Sequence, residues 1–190
     1  GQKSDIIITA NYSWLEWMIN RNLVEKSSIK KIAKNSLVFI TGINKNIHLD
    51  INSSKFKDDL VEQISSSKIS IPHPSSVPLG IYSKQALQSL DAWSLVQKKL
   101  VFTSSAQSNL KFISQGEANI GISYLSDALL SSKVKILSYI DEKKFNYDKP
   151  TYWAAKIKRN NKNNDFNFLQ WLESRKSQEI FKDYGFETIY

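Results

Sequence analysis

The chain has 190 residues, of which 41% are hydrophobic and 23% charged, and it carries a formal net charge of +8. This is the composition of a folded chain, long enough for one sizeable core or for two small lobes that share a hinge. Because it contains no cysteine, disulfides, thiolate nucleophiles and Cys-ligated zinc are excluded, and its two histidines, His48 and His73, are too far apart for a helical histidine metal motif.

The positive charge attracts anions of every kind, from nucleic acid to small oxyanions. The basic residues are scattered along the chain, and the one dense patch, residues 156–162, is interrupted by asparagines and is predicted to be a loop. No RNA-binding aromatic motif or zinc-finger spacing accompanies this patch, so we expect no nucleic-acid partner.

The first part of the chain predicts a strand, a helix and a second strand. A β-branched run makes residues 5–9 a buried strand, and Asn11 is a suitable N-cap for a helix over residues 12–21. Trp14 and Trp17 lie on one face of this helix together with Met18, and we expect that face to pack in the core.

Strands and helices then alternate to the end of the chain. The predicted elements, in chain order, are a strand at 37–41, a helix at 57–66, a strand at 68–71, a helix at 78–90, a strand at 100–103, a helix at 105–115, a strand at 119–123, a short helix near Asp127, a strand at 134–137, an extended segment at 151–157 and a long helix at 165–184 that ends at Gly185. This alternation indicates an α/β fold with a parallel sheet, in which ligands bind where strand carboxyl ends lead into helix amino termini.

Two strand-to-helix junctions have features of an anion site. In the first, residues 73–80, Pro78 suits the first helical position and Gly80 permits a close approach of the backbone. In the second, Ser104 and Gln107 have the spacing of a capping box.

In a third junction, residues 121–127, Tyr124 directly follows a strand. Two helix amino termini and a tyrosine hydroxyl that point into one cleft would hold an oxyanion without any lysine or arginine. The same features are also those of ordinary capped helices, so spacing alone indicates only an α/β fold that is able to bind an anion.

Several motifs are similar to those of the periplasmic molybdate-binding proteins of ABC importers. The segments that carry the resemblance are 77–87 (VPLGIYSKQAL), 121–127 (GISYLSD) and 179–186 (EIFKDYGF), with 5–10 (DIIITA), Trp14 and 35–38 (NSLV) preceding them in the same order. The resemblance covers essentially the whole chain.

The resemblance implies an α/β, bilobed periplasmic-binding-protein-like (type II) fold with a two-strand hinge and without catalysis. It implies that molybdate or tungstate is held by the backbone N–H groups of Leu79 and Ala106 and by the hydroxyl of Tyr124, with no cofactor and no metal bound directly by side chains. The implied partner is the membrane permease of an ABC transporter. The implied location is periplasmic or extracellular, with membrane attachment only if a lipid anchor precedes Gly1.

The expected division is a first lobe of residues 1–40 and 152–190 and a second lobe of residues 41–151. The segments 37–41 and 151–157 are predicted to run antiparallel as the hinge. In the family, two further strand–helix units with serine-type contacts come before the first strand seen here. We therefore expect an incomplete first lobe whose exposed strand edges favour self-association.

Three positions depart from the pattern of the family. Asn11 stands where the family usually has Asp, His73 where it has an acidic residue or Asn, and Leu125 where it has Gly. His73 lies just before the expected anion loop, where its imidazolium would add a donor, although a surface loop histidine is the simpler interpretation.

Other functions remain open at this point. The tetrahedral oxyanion bound could be of the sulfate type, and a cytosolic oxyanion-sensing domain of a regulator would use a similar fold. An enzyme is disfavoured because the chain lacks a G-x-S-x-G elbow, a Walker loop and a G-x-G-x-x-G motif, and acidic pairs such as Asp58–Asp59 and Asp141–Glu142 are typical of protein surfaces. Molybdate and tungstate are too alike in size and charge to be distinguished from sequence.

Overall fold

The computed structural model describes residues 4–158 and 166–189. The chain divides into one unit formed by Gly1–Asn35 and Pro150–Tyr190 and a second formed by Ser36–Lys149. The sequence places these boundaries slightly later, after residues 40 and 151. The difference arises because the strand that begins at Leu37 belongs to the sheet of the second unit.

The helices and strands follow the predicted alternation. In chain order they are β1 (Ile6–Thr9), α1 (Tyr12–Asn20), β2 (Lys30–Lys34), β3 (Leu37–Gly42), α2 (Phe56–Ser65), β4 (Ile69–Pro72), α3 (Pro78–Ser89), α4 (Trp93–Val96), β5 (Leu100–Thr103), α5 (Ala106–Ser114), β6 (Ile120–Tyr124), α6 (Leu125–Leu130), β7 (Val134–Ile140), α7 (Glu142–Phe145), β8 (Thr151–Lys156), α8 (Phe166–Leu172) and α9 (Arg175–Asp183). No helix within the described residues has the length and apolarity needed to cross a membrane.

The first unit contains a three-stranded sheet in the order β1-β8-β2. Both pairings are antiparallel, so the prediction of a parallel sheet is wrong for this unit. Asn11 caps α1 as predicted, because its Oδ1 accepts a hydrogen bond from the Trp14 N–H at 3.2 Å. The expected core packing is wrong for Trp14 and Trp17, which are 46% and 43% exposed, since the helix turns Leu15 towards the core instead.

The second unit contains a five-stranded sheet in the order β5-β4-β6-β3-β7. β5, β4 and β6 are parallel, whereas β3 runs antiparallel to both of its neighbours. Alternate residues of β3 enter different clusters: Leu37 and Phe39 pack with α2 and α3, and Val38 and Ile40 with α5 and α6. All six residues of β3 are buried, because the strand is covered on both faces of the sheet. This explains why its sequence is almost continuously apolar.

The predicted antiparallel pairing of residues 37–41 with residues 151–157 is wrong, because β3 and β8 lie in different sheets. β3 is paired along one edge with β6 and along the other with β7. β8 is likewise paired with β1 and β2. Since a strand has only two edges for hydrogen bonding, neither strand has one left for the other. The chain passes between the two units at residues 35–36 and 149–150.

The predicted long carboxy-terminal helix is two helices, α8 and α9. Ser174 interrupts it by capping α9, and its Oγ accepts from the Ser177 N–H at 3.3 Å. Gly185 follows α9 with φ of 81°, the left-handed conformation predicted for a helix end. The predicted start of that helix at Asp165, and the asparagine-rich part of the predicted loop, lie outside the described residues.

Candidate functional site

The carboxyl ends of three parallel strands meet at one edge of the second unit's sheet. β4 pairs in parallel with β5 on one side and with β6 on the other. The chain continues from β4 into α3, from β5 into α5 and from β6 into α6. The three predicted junctions therefore lie side by side at the edge where α/β sheets bind ligands.

The first junction is fixed by a close approach between α3 and the end of β4. Pro78 is the first helical residue, as predicted, and Leu79 follows it fully buried. The Leu79 N–H belongs to the first helical turn, where no intrahelical acceptor exists. A Cβ added to Gly80 would collide with the carbonyl oxygen of Pro72 and would lie 2.5 Å from that of His73. Glycine at this position therefore lets the start of α3 rest directly on the backbone that follows β4.

The second junction is closed by a reciprocal cap at the start of α5. The Ser105 Oγ accepts from the Ser108 N–H at 3.0 Å, and the Ser108 Oγ accepts from the Ser105 N–H at 2.9 Å. The capping box lies one residue later than the predicted Ser104–Gln107 pair, because Ser105 is the residue in the extended N-cap conformation. Ala106 is the first helical residue, and its N–H has no intrahelical acceptor.

The third junction is the direct passage from β6 to α6 at Tyr124. Tyr124 ends the strand, is 6% exposed and has a buried hydroxyl oxygen. Its side chain belongs to the same buried cluster as Leu79, and Ala106 packs against that cluster. Leu79 and Tyr124 thus share one buried cluster, against which Ala106 packs, and all three residues lie at strand-to-helix junctions of the same sheet edge.

The junctions are electrostatically neutral apart from one acid. Residues 73–79, 103–107 and 123–127 contain no lysine or arginine, and their only carboxylate is that of Asp127. Burial raises the pKa of Asp127 above its ordinary value, which favours the uncharged form beside the junction. Within the described residues no group of three or more His, Cys, Asp or Glu side chains is placed to hold a metal ion. An anion at this edge would be held by uncharged donors.

Two of the departures from the family pattern, His73 and Leu125, lie near this edge, and neither belongs to the buried cluster that contains Tyr124. Leu125 packs against the buried cluster on the opposite face of the sheet, which contains Val38 and Ile40. His73 is exposed on its loop, and its backbone N–H donates to the Thr103 carbonyl oxygen at 2.9 Å, which ties the ends of β4 and β5 together. We expect neither side chain to fill the space beside the Tyr124 ring.

A buried polar contact that the sequence did not reveal fixes α5 on the sheet. The Asn109 Oδ1 accepts from the Ser70 Oγ at 2.6 Å, and its Nδ2 donates to the Ile122 carbonyl oxygen at 2.8 Å. Asn109 and Ser70 are both fully buried. Asn109 therefore links α5 to β4 and β6 at once and sets the position of the helix that presents the Ala106 N–H.

Two curated bacterial proteins are similar to the chain over almost its whole length. The molybdate-binding protein ModA of Escherichia coli (strain K12) is 28% identical over 189 residues, covering 98% of this chain and 71% of that protein. The putative ABC transporter substrate-binding lipoprotein YvgL of Bacillus subtilis (strain 168) is 27% identical over 188 residues, covering 98% of this chain and 68% of that protein.

Solved structures share the fold. The substrate binding domain of a putative molybdenum ABC transporter from Clostridium difficile matches with a TM-score of 0.76 and 27% identity, over 100% of this chain and 79% of that one. The periplasmic molybdate-binding protein of Azotobacter vinelandii matches with a TM-score of 0.79 and 18% identity, over 100% of this chain and 80% of that one. These matches confirm the predicted α/β binding-protein fold.

A family model agrees with the fold and with the predicted resemblance to binding proteins of importers. The model describes a bacterial extracellular solute-binding protein and matches residues 1–187. Because this match spans almost the entire chain, the protein belongs to the bacterial extracellular solute-binding proteins.

Proposed function

We propose that this protein binds a tetrahedral oxyanion, molybdate or tungstate, and delivers it to the membrane permease of an ABC importer. The observation that supports the proposal is that the strand-to-helix junctions that contain Leu79, Ala106 and Tyr124 lie side by side at one sheet edge. The names of the similar proteins support both the ligand and the transporter: ModA is a molybdate-binding protein and YvgL a putative ABC transporter lipoprotein.

The chemistry of the three contacts suits an oxyanion. α3 has 12 residues and α5 has 9, and the amino terminus of each carries about half a positive charge together with unsatisfied N–H groups. The Tyr124 hydroxyl adds a directed donor. A hydrogen bond from a neutral donor to a charged group is worth about 1.5–3 kcal/mol, so several such bonds replace the hydration shell of the anion without a lysine.

Size selectivity follows from how firmly the donors are held. The first turn of α3 rests on the backbone beyond β4 through Gly80, and α5 is held on the sheet by Asn109. Donors held in this way cannot move inwards to follow a smaller anion such as sulfate. We therefore expect molybdate and tungstate to bind similarly and sulfate to bind more weakly.

We infer that the site binds without catalysing a reaction. The one serine–histidine pair near this edge is the Ser75 Oγ and the His73 Nδ1, 3.1 Å apart on an exposed loop. Within the described residues no carboxylate orients this histidine, in contrast to a hydrolytic triad. The description of the family supports a periplasmic or extracellular location. The similarity to YvgL, a putative lipoprotein, supports attachment to the membrane by a lipid anchor.

Calorimetric titration of the protein in its full natural length with molybdate, tungstate, sulfate and phosphate tests the proposal. We expect molybdate and tungstate to bind with similar affinity and about a hundredfold more tightly than sulfate, a difference of about 2.7 kcal/mol. Sulfate binding as tight as molybdate binding would show that the ligand assignment is wrong. An absence of binding for all four anions would refute the oxyanion site itself.

A further inference from the structure

The edge of the second unit's sheet opposite the candidate site is rich in lysine. β4, β5, β6 and β7 begin at this edge, and β3 ends there because it runs antiparallel to its neighbours. Five lysines lie directly beside these strand ends and form what we call the basic edge: Lys45, Lys68, Lys98, Lys99 and Lys133.

Backbone hydrogen bonds arrange these lysines in one row. The Ile43 N–H donates to the Lys133 carbonyl oxygen at 2.9 Å, which joins the end of β3 to the start of β7. The Asn119 N–H donates to the Lys68 carbonyl oxygen at 3.1 Å, which joins the starts of β6 and β4. Neighbouring strands lie about 4.8 Å apart, so five strands place the row within about 20 Å.

Most of the charge in the basic edge is not neutralised by the protein. The Lys99 Nζ donates to the Ser65 carbonyl oxygen at 2.7 Å, at the end of α2. The other four ammonium groups form neither an ion pair nor a side-chain hydrogen bond with any described residue. In the chain segments that flank these strand ends, the carboxylates are those of Glu62, in the last turn of α2, and Glu117, before β6. Five lysines against two acids leave a net positive surface.

Aliphatic side chains protrude beside the same lysines. Ile43, Leu129 and Leu130 are 49%, 56% and 64% exposed. Leu129 and Leu130 end α6, which packs against β3 and β7, and Lys133 follows three residues after Leu130. Large exposed aliphatic groups beside a row of lysines form an amphipathic surface.

We propose that the basic edge, together with Ile43, Leu129 and Leu130, docks the protein reversibly onto a membrane surface that contains anionic phospholipid. Lysines near such a surface are attracted to its headgroups, and aliphatic side chains gain by entering the interface between headgroups and acyl chains. An acidic protein would match the charge, but protein interfaces are anchored by aromatic and arginine side chains. Residues 43–45, 66–68, 97–99, 116–119 and 129–133 contain neither, which favours the lipid surface.

The proposal goes beyond the binding of an oxyanion and does not depend on it. The basic edge and the three junctions lie at opposite ends of the same strands. A binder held at the membrane by one edge would keep its ligand edge free. Its encounters with a membrane-embedded permease would then occur along a surface instead of through the whole volume.

Vesicle flotation of the protein tests the proposal. We expect the wild type to float with vesicles of phosphatidylglycerol and phosphatidylcholine but not with vesicles of phosphatidylcholine alone. Salt of about 1 M should abolish flotation, because it shortens the Debye length to about 3 Å. The double variant Lys45→Gln/Lys133→Gln should bind the anionic vesicles about thirtyfold more weakly.

A matched variant separates a docking surface from diffuse positive charge. Lys55 precedes α2 and Lys143 lies in α7 after the carboxyl end of β7, so both lie away from the basic edge. Lys55→Gln/Lys143→Gln removes the same charge and should bind as the wild type does. Leu129→Ser/Leu130→Ser changes exposed side chains and should weaken binding severalfold without altering thermal unfolding.

Three results would overturn the proposal. The first is an equal loss of binding in the two lysine pairs, which would mean that net charge alone attracts the vesicles. The second is a wild type that does not float with anionic vesicles at low salt. The third is binding to soluble polyglutamate without binding to vesicles, which would assign the surface to an acidic protein.

Discussion

Tyr124 is the residue through which the proposed site can be probed, because Leu79 and Ala106 contribute backbone groups that a side-chain substitution leaves in place. Tyr124→Phe should weaken molybdate binding about tenfold to a hundredfold, since a hydrogen bond to a charged group is worth about 1.5–3 kcal/mol. Titration calorimetry measures the loss. Tyr139→Phe is the control, because Tyr139 lies on β7 in the same unit with its side chain 57% exposed.

Equal affinity of wild type and Tyr124→Phe for molybdate would show that the hydroxyl is not a contact. The fold and the family would be unaffected by that result.

The affinity of the wild type for molybdate should depend only weakly on salt concentration, because neutral donors and not lysines are proposed to hold the anion.

Asp127 gives a pH-dependent prediction at the same junction. Burial raises its folded-state pKa above the ordinary value of 3.8, so the unfolded chain releases this proton at a lower pH than the folded protein does. As the pH rises from 3.8 through the raised pKa, the free energy of unfolding falls, because the folded protein holds this proton more tightly than the unfolded chain does. The lower free energy of unfolding persists at neutral pH. Asp127→Asn should therefore be as stable as the wild type or more stable near neutral pH, as measured by urea unfolding. A clearly less stable variant there would mean that the carboxylate is needed for structure.

Some residues could be placed from sequence and others could not. Pro78, Gly80 and Tyr124 stand at breaks between strand and helix patterns, and such breaks are visible in a single sequence. Trp14 was misplaced because helical spacing shows which residues share a face but not which face meets the core. Asn109 was missed because a lone polar residue in a helix usually lies on the solvent side.

At the scale of elements, the position of α5 depends on the buried contact between Ser70 and Asn109. Asn109→Leu should lower the free energy of unfolding by about 2–4 kcal/mol, because it leaves the Ser70 hydroxyl buried without its acceptor and removes the bond to the Ile122 carbonyl. Ser70→Ala alone should lower it by about 1–3 kcal/mol, because the Asn109 Oδ1 then loses its donor. Urea unfolding of both variants measures these losses.

The double variant decides whether the two residues act as a unit. Ser70→Ala/Asn109→Leu should lose less free energy than the sum of the single variants, because each change removes the partner that the other leaves unsatisfied. Strict additivity would contradict the coupling. Since α5 presents the Ala106 N–H, the Asn109 variant should also bind molybdate more weakly, whereas a purely structural contact would leave the affinity unchanged.

Most elements could be predicted within one or two residues, and the exceptions have local causes. β2 was not predicted because three of its five residues are lysines, which are unfavourable in strands, and its pairing with β8 overrides that preference. The break between α8 and α9 was missed because Ser174 lies within an apolar pattern of helical period and acts as a cap only in the folded chain.

At the scale of the whole molecule, local patterns did not determine which strands pair. Residues 37–41 and 151–157 both have the sequence pattern of strands, and each is able to pair with several other predicted strands. Their predicted antiparallel pairing was therefore one choice among several possible strand pairings. The structure places β8 between β1 and β2 in one sheet and β3 between β6 and β7 in the other. The predicted lobe boundaries and the predicted self-association remain predictions, and size-exclusion chromatography with light scattering measures the latter.

The second unit presents two chemically different edges of one sheet. One edge carries the proposed anion site with its neutral donors, and the other carries lysines and aliphatic side chains. Because the edges are separated by the length of the strands, we expect variants of the basic edge to leave molybdate affinity unchanged.

The location of the bound anion can be measured by anomalous diffraction from crystals of the protein grown with molybdate. We predict a molybdenum peak at the junctions, with oxygen atoms about 2.7–3.2 Å from the Leu79 N, the Ala106 N and the Tyr124 Oη. Molybdate bound among the lysines of the basic edge, or at any place where the Tyr124 hydroxyl does not contact it, would contradict the proposed site.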